Sequence, residues 1–224
     1  NLEQFNYDFN NTTDDFINEE LSKIKENFCY FFTGHWLQGG LGNDRKDVGA
    51  LIKIFYETFG RKPNKPALIL KTTGATPSVL DRHEVLGKIE QIKKQFPGQK
   101  LPPVYLLHGD LTDDQMNALY NHPKVKAMTM FTHGEGFGRP ILEFSTTGKP
   151  MLVSNWSGHI DFLKKDAVTL LKGRLTEVPK DAFPENIYQD GAQWFTCDYG
   201  LIKKELVNCF KQYKKYSKKS HRQK

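Results

Sequence analysis

Two carboxylates eight positions apart, Glu135 and Glu143, stand on either side of a turn built from Gly136, Phe137 and Gly138, with Gly134 just before it. Glycines let a backbone approach a ligand closely. Pro140 follows, and proline suits the first turn of a helix because its missing N–H is not needed there. The helix is expected from about Arg139 to Thr147, with Gly148 past its end and Pro150 blocking continuation. A glycine turn that opens a helix is an anion site, since unpaired amides and the positive end of the helix dipole face the same point. Carboxylates beside such a point repel a phosphate. Their partners are therefore hydroxyl groups, whose protons a carboxylate accepts in pairs. An anion flanked by two polyol ends describes a nucleotide sugar.

The elements that must position this turn are short apolar runs alternating with amphipathic segments. Strands are expected at Cys29 to Thr33, Ala67 to Lys71, Val104 to Leu107, Lys126 to Phe131, Met151 to Ser154 and Ala167 to Leu171. Between the first two, Val48, Leu51, Ile52, Phe55 and Phe59 share one helical face, and Gly60 ends it. Val85, Ile89, Ile92 and Phe96 form a second face, ended by Pro97-Gly98. Strands alternating with helices of this length predict an α/β fold, a Rossmann-like parallel sheet with helices on both faces. Ligands in such folds sit outside the carboxyl ends of the strands. The loops at Gly34, Gly109 and Gly134 fall there.

At these residues the chain resembles the retaining glycosyltransferases of the GT-B fold, whose hallmark is a pair of glutamates eight apart around a Glu-Gly-Phe-Gly core. Glu135, Gly136, Phe137 and Gly138 match that core and Glu143 closes the pair. The likeness continues through Phe144-Ser145-Thr146-Thr147-Gly148-Lys149-Pro150 to Ser157-Gly158, where His159 and Asp161 depart from the family pattern. Upstream, Phe31-Phe32-Thr33-Gly34 resembles the first strand and its turn, and Asp44-Arg45-Lys46-Asp47 the basic loop before a helix. Val104 through Gln115 is similar to the segment that holds the nucleotide base, with Leu111 in its turn. The likeness covers roughly Phe28 to Phe210 and lacks the family's first domain.

The resemblance implies transfer of a hexose from a nucleoside diphosphate sugar to an acceptor, with retention at the anomeric carbon and without a metal or other cofactor. Glu135 and Lys46 are the implied catalytic residues. Gly34, Arg45, Lys46, Leu111, Glu135, Gly136, Phe137, Gly138, Arg139 and Glu143 are the implied donor contacts. Lys46 would grip the diphosphate, with Arg45 or Arg139 as second cation because His35 stands where the family has arginine and Gly39, Gly40 and Gly42 lengthen the loop. Glu135 would hold sugar hydroxyls and Glu143 the ribose. A separate N-terminal domain would supply the acceptor site, so the chain alone is expected to bind donor without efficient transfer. The alternative is a non-catalytic module that binds a nucleotide sugar or a polyanion. A phosphorylase-like or epimerase reading shares the fold but wants a cofactor lysine or further acids that have no place here.

Length supports one core, because two Rossmann-like halves need about 300 residues. The expected organisation is a linker and short helix over 1–27, the nucleotide-sugar domain over 28–200, and a basic helix and tail over 201–224. The first helix is expected from about Thr13 to Lys25. Net charge is +6, yet from Leu201 onward nine cationic side chains face one acid, Glu205, which leaves the rest of the chain at −2. Ile202, Leu206, Phe210 and Tyr213 recur at helical spacing, so the tail is expected to dock as a helix to about Tyr216 and then fray. Such a cationic end is expected either to be simply a solvated terminal helix or to contact nucleic acid or an anionic membrane. The histidines lack metal-ligand spacing, and Trp194 is expected to be a packing anchor just before a helix. Cys29, Cys197 and Cys209 are odd in number and read as reduced core thiols, which with the absence of an apolar run near 18 residues points to a cytoplasmic protein.

Overall fold

The computed structural model describes residues 13–37, 41, 43–180, 182 and 189–223. The glycine insertion at Gly39, Gly40 and Gly42, the polar segment 1–12 and Lys224 lie outside them.

Six parallel strands form one sheet: β1 (Cys29–Thr33), β2 (Ala67–Lys71), β3 (Val104–Leu107), β4 (Val125–Met130), β5 (Met151–Ser154) and β6 (Thr169–Leu171), in the order β3-β2-β1-β4-β5-β6. All five residues of β1 are buried, as a strand covered on both faces requires. The order reverses between β1 and β4, and such a reversal leaves a crevice at the carboxyl ends of those strands. The chain is thus an α/β Rossmann-like domain, as the alternating pattern predicted.

Helices α2 (Val48–Phe59), α3 (Val79–Lys93), α4 (Asp113–Asn121) and α5 (Arg139–Ser145) connect the strands. The expected α2 face is buried throughout, and so are Ala50, Ile54 and Tyr56, because α3 and α6 (Tyr199–Lys211) pack on the helix as well. Val85, Ile89 and Ile92 of α3 are buried; Phe96 lies past its end and meets the Tyr56 ring edge-on at 5.6 Å. The first helix, α1 (Asp15–Ser22), is shorter than expected, since Asp14 caps it by accepting the Ile17 N–H at 2.9 Å. Ile17 and Leu21 are buried, and Lys124 ties the helix end to the core through the Leu21 carbonyl at 2.8 Å.

Further regions differ from the sequence expectation. β4 is shifted one residue toward the N-terminus and β6 is two residues shorter at its start. An antiparallel hairpin, β7 (Gly173–Glu177) with β8 (Gln193–Cys197), forms where no strand was expected, so Trp194 lies inside a strand that leads into the expected helix. The tail does not fray at Tyr216: α7 (Tyr213–Ser220) continues beyond it, followed by a 3-10 turn at His221–Gln223. Ser220 is buried, and Lys219 donates to the Val168 carbonyl at 2.6 Å, which anchors the end of the helix beside β6.

Candidate functional site

The loop after β4 is braced from two sides. The Thr132 hydroxyl accepts the Gly134 N–H at 3.0 Å, and the Gly134 carbonyl accepts from Arg45 at 2.6 Å. Ser157 reaches across from the β5 loop, its hydroxyl donating to the Glu135 carbonyl at 2.5 Å, while the Gly158 N–H donates to the same carbonyl at 3.1 Å. A Cβ at Gly158 would lie 2.0 Å from the Gly136 carbonyl oxygen, so only glycine permits this approach. Gly138 enters α5 at φ 82°, in the left-handed region, with His159 against it. Pro140 then occupies the first turn, as expected.

The basic loop before α2 meets this loop at the β1/β4 reversal. Lys46 is ion-paired with Glu135 Oε1, and Arg45 lies 3.7 Å from Glu135 Oε2. Burial pushes the Lys46 ammonium below its usual pKa, against the raising effect of Glu135. Gly34 ends β1 directly against the Lys46 stem: a Cβ there would lie 3.4 Å from Lys46 Cε. Two acids flank the cations. Asp44 caps α2 by accepting the Val48 N–H at 3.1 Å, and burial raises its pKa to about 6. Asp47, wholly buried at φ 55°, accepts from the Tyr199 hydroxyl at 3.2 Å; burial and then the Asp44 charge raise its pKa to about 8.

Glu143 lies one turn into α5 and is also buried. Its Oε2 accepts from the Tyr120 hydroxyl of α4 at 3.0 Å, and its other oxygen pairs with Arg139 at i,i+4 spacing. Arg139 reaches further to Asp113 at 3.4 Å, joining the starts of α4 and α5. Leu111, two residues before Asp113, is half-buried against the core. Phe137 is exposed beside the turn, its ring 5.4 Å from that of Phe162. The structure therefore brings Gly34, Arg45, Lys46, Glu135 and Gly136 to one cluster, with Gly138, Arg139 and Glu143 following on the same loop and helix. Leu111 lies two residues before Asp113, whose contact with Arg139 links that turn to the site.

Of the residues that support the cluster from behind, only Trp194 was expected from the sequence, as a packing anchor. His133 stacks on Trp194 with ring centroids 3.9 Å apart, shares a hydrogen bond between its Nδ1 and the Phe195 carbonyl at 2.7 Å, and donates its backbone N–H to the Arg45 carbonyl. The hairpin thus buttresses the site, and α6 adds Tyr199. The other loop histidines are occupied too: His35 with Thr73, His108 with Asp81 and His159 with the Ser154 carbonyl. Among the described residues no group of three His, Cys, Asp or Glu could hold a metal ion. The cysteines are buried and free of disulfides, with burial raising Cys29 and Cys209 to about 12.

No protein-family model matches the chain, and no curated protein matches its sequence. Solved structures do match its fold. The C-terminal domain of the group 1 family glycosyl transferase LpcC from Francisella tularensis superposes with a TM-score of 0.59 at 12% identity, over 91% of this chain and 87% of that one. The chain has the fold of a glycosyltransferase C-terminal domain. A glycosyltransferase from Rickettsia africae gives a TM-score of 0.61 at 13% identity, and HepE of Anabaena, solved in complex with UDP-glucose, 0.58 at 12%. Both matches cover all of this chain but 49% of the other, so the chain spans about half the length of those proteins.

Proposed function

We propose that this chain is the donor-binding domain of a retaining glycosyltransferase, which moves a hexose from a nucleoside diphosphate sugar to an acceptor without a metal. One observation carries the reading: the buried Lys46–Glu135 pair lies at the strand-order reversal, with Glu143 eight residues on and held by a separate set of partners. Neighbours of the same fold, one crystallised with UDP-glucose, support a nucleotide sugar as the ligand.

The chemical difficulty in this reaction is charge. A diphosphate leaves while the sugar becomes oxocarbenium-like, and fixed positive groups aimed at the leaving oxygen lower that barrier. Lys46 and Arg45 supply them, with the backbone amides at Gly138 and Arg139. Phosphate oxygens displace Glu135 from Lys46 when donor enters, and the released carboxylate turns to the sugar hydroxyls and favours the developing positive charge. Glu143, kept in place by Tyr120, accepts from the ribose. Neither acid acts as a glycosidase-type nucleophile, because both bind ends of one ligand instead of facing each other across a glycosidic bond.

Acceptor binding belongs to a second domain. A cleft open on one side neither excludes water nor orients an acceptor, and that positioning is a large part of the rate in a two-substrate reaction. The second reading, a binding module without activity, shares every donor contact. We place the protein in the cytoplasm, where three buried thiols stay reduced; no described helix is long and apolar enough to cross a membrane. A panel of nucleoside diphosphate sugars in a thermal-shift assay tests the donor role, because a ligand of the folded state raises its melting temperature. At least one is expected to do so while the isolated chain turns over little. No shift with any donor sinks the reading, and efficient multiple turnover places the acceptor site within these residues.

A further inference from the structure

Away from the donor site, α6 and α7 fold back beside β6, which forms one edge of the six-stranded sheet, and leave a groove of about 1110 Å³ between them. Its walls are cationic on both sides. Lys165 and Lys172 flank β6 on one wall, and Lys204, Lys215 and Lys218 stand on the helices opposite. All five are exposed, and none has an acidic partner among the described residues. The one acid in the lining, Glu205, already accepts from the Tyr216 hydroxyl. Lys219 and Arg222 serve the wall itself, through the Val168 carbonyl and Asp166. The floor is apolar, formed by Leu170, Leu201 and buried Val168.

We propose that this groove docks an acidic segment of another protein whose one face is apolar. The charge on both walls requires an anionic occupant, and the floor rewards apolar side chains between the carboxylates. A flat anionic membrane fits poorly: the lysines line a concavity, and among the described residues no exposed large apolar side chain lines it to enter a bilayer. Single-stranded nucleic acid fits poorly as well, because base stacking needs free aromatic or arginine planes. The lining holds one of each, Tyr216 and Arg222, and both are engaged. The cationic tail is therefore a structured wall, not a loose polybasic end.

The test is fluorescence anisotropy of the whole 224-residue chain at low salt, with labelled probes of equal charge: a peptide of alternating glutamate and leucine, oligoglutamate, and oligothymidylate. The glutamate-leucine peptide is expected to bind about tenfold or more tighter than either other probe. The charge reversal K204E/K215E on the helical wall, and K165E/K172E on the strand wall, should each weaken it by about tenfold while leaving the nucleotide-sugar thermal shift unchanged. The second variant serves if the first does not fold. Oligothymidylate or oligoglutamate binding as tightly as the peptide overturns the proposal. So does co-sedimentation with phosphatidylserine vesicles that the reversals abolish, or an affinity that neither reversal changes.

Discussion

Glu135 and Glu143 frame the same turn, yet they are held in different ways. Glu135 meets Lys46 in a pair whose side chains are only 8% and 10% exposed, whereas Glu143, equally buried, meets Arg139 with 66% of that side chain in solvent. The first pair is desolvated on both sides, and the two charges answer each other, with Arg45 3.7 Å from the other Glu135 oxygen. The second is screened, and the Tyr120 hydroxyl also reaches Glu143 from the core. On the proposed donor role, one end of the turn is a charge balance that an incoming phosphate would exchange, and the other is a carboxylate that would accept from hydroxyl groups.

The largest effect that would break this contrast is the loss of Lys46. Lys46→Met leaves buried Glu135 with only the half-exposed Arg45 guanidinium, 3.7 Å from its other oxygen, and should destabilise the ligand-free domain by about 3 kcal/mol in urea melts. A cost under about 0.5 kcal/mol would mean that Arg45 or water answers the Glu135 charge in place of Lys46. Next comes Glu143→Gln, which should weaken nucleoside diphosphate binding by roughly 1.5–3 kcal/mol, the scale of hydrogen bonds to a charged group, without unfolding the domain. Unchanged affinity in calorimetry removes the ribose role. At the small end, Arg139→Ala should cost at most about 1 kcal/mol of stability, as an exposed partner does.

The acids behind the cations sharpen the same picture through pH. Burial raises Asp47 to about 8 and Asp44 to about 6, both above the ordinary 3.8. The folded chain then holds protons more tightly than the unfolded chain, and stability present at low pH is lost as pH rises through that window. Asp47→Asn keeps a residue tolerated at positive φ but removes the ionisation. Its stability relative to the parent should climb from about pH 4 to about pH 8, by at most about 1.4 kcal/mol per pH unit. A constant difference across that range would contradict the raised pKa.

Much of the sheet was legible because β1, β2, β3 and β5 are compact apolar runs with turn residues at their ends. The glycine turn and α5 were legible for a similar reason, since Gly138 and Pro140 punctuate the chain through backbone geometry alone. The hairpin was not. β7 is largely exposed, so Gly173-Arg174-Leu175-Thr176-Glu177 carries no run of buried residues, and its pairing with β8 depends on contacts distant in sequence. Asp47 hid for another reason: a left-handed residue is usually announced by glycine or asparagine, and here an aspartate is held there by Tyr199 from 152 residues away. The supports of the candidate site are tertiary, while its loop geometry is local. That division decided what the sequence disclosed.

The most direct measurement is calorimetry of Glu135→Ala with the nucleoside diphosphate sugar that stabilises the parent most, and with the matching free nucleotide. If Glu135 is the group that reads the sugar, the variant keeps its affinity for the nucleotide and loses the parent's discrimination between nucleotide and nucleotide sugar. Equal losses for both ligands would contradict the account and make Glu135 a structural partner of Lys46 alone.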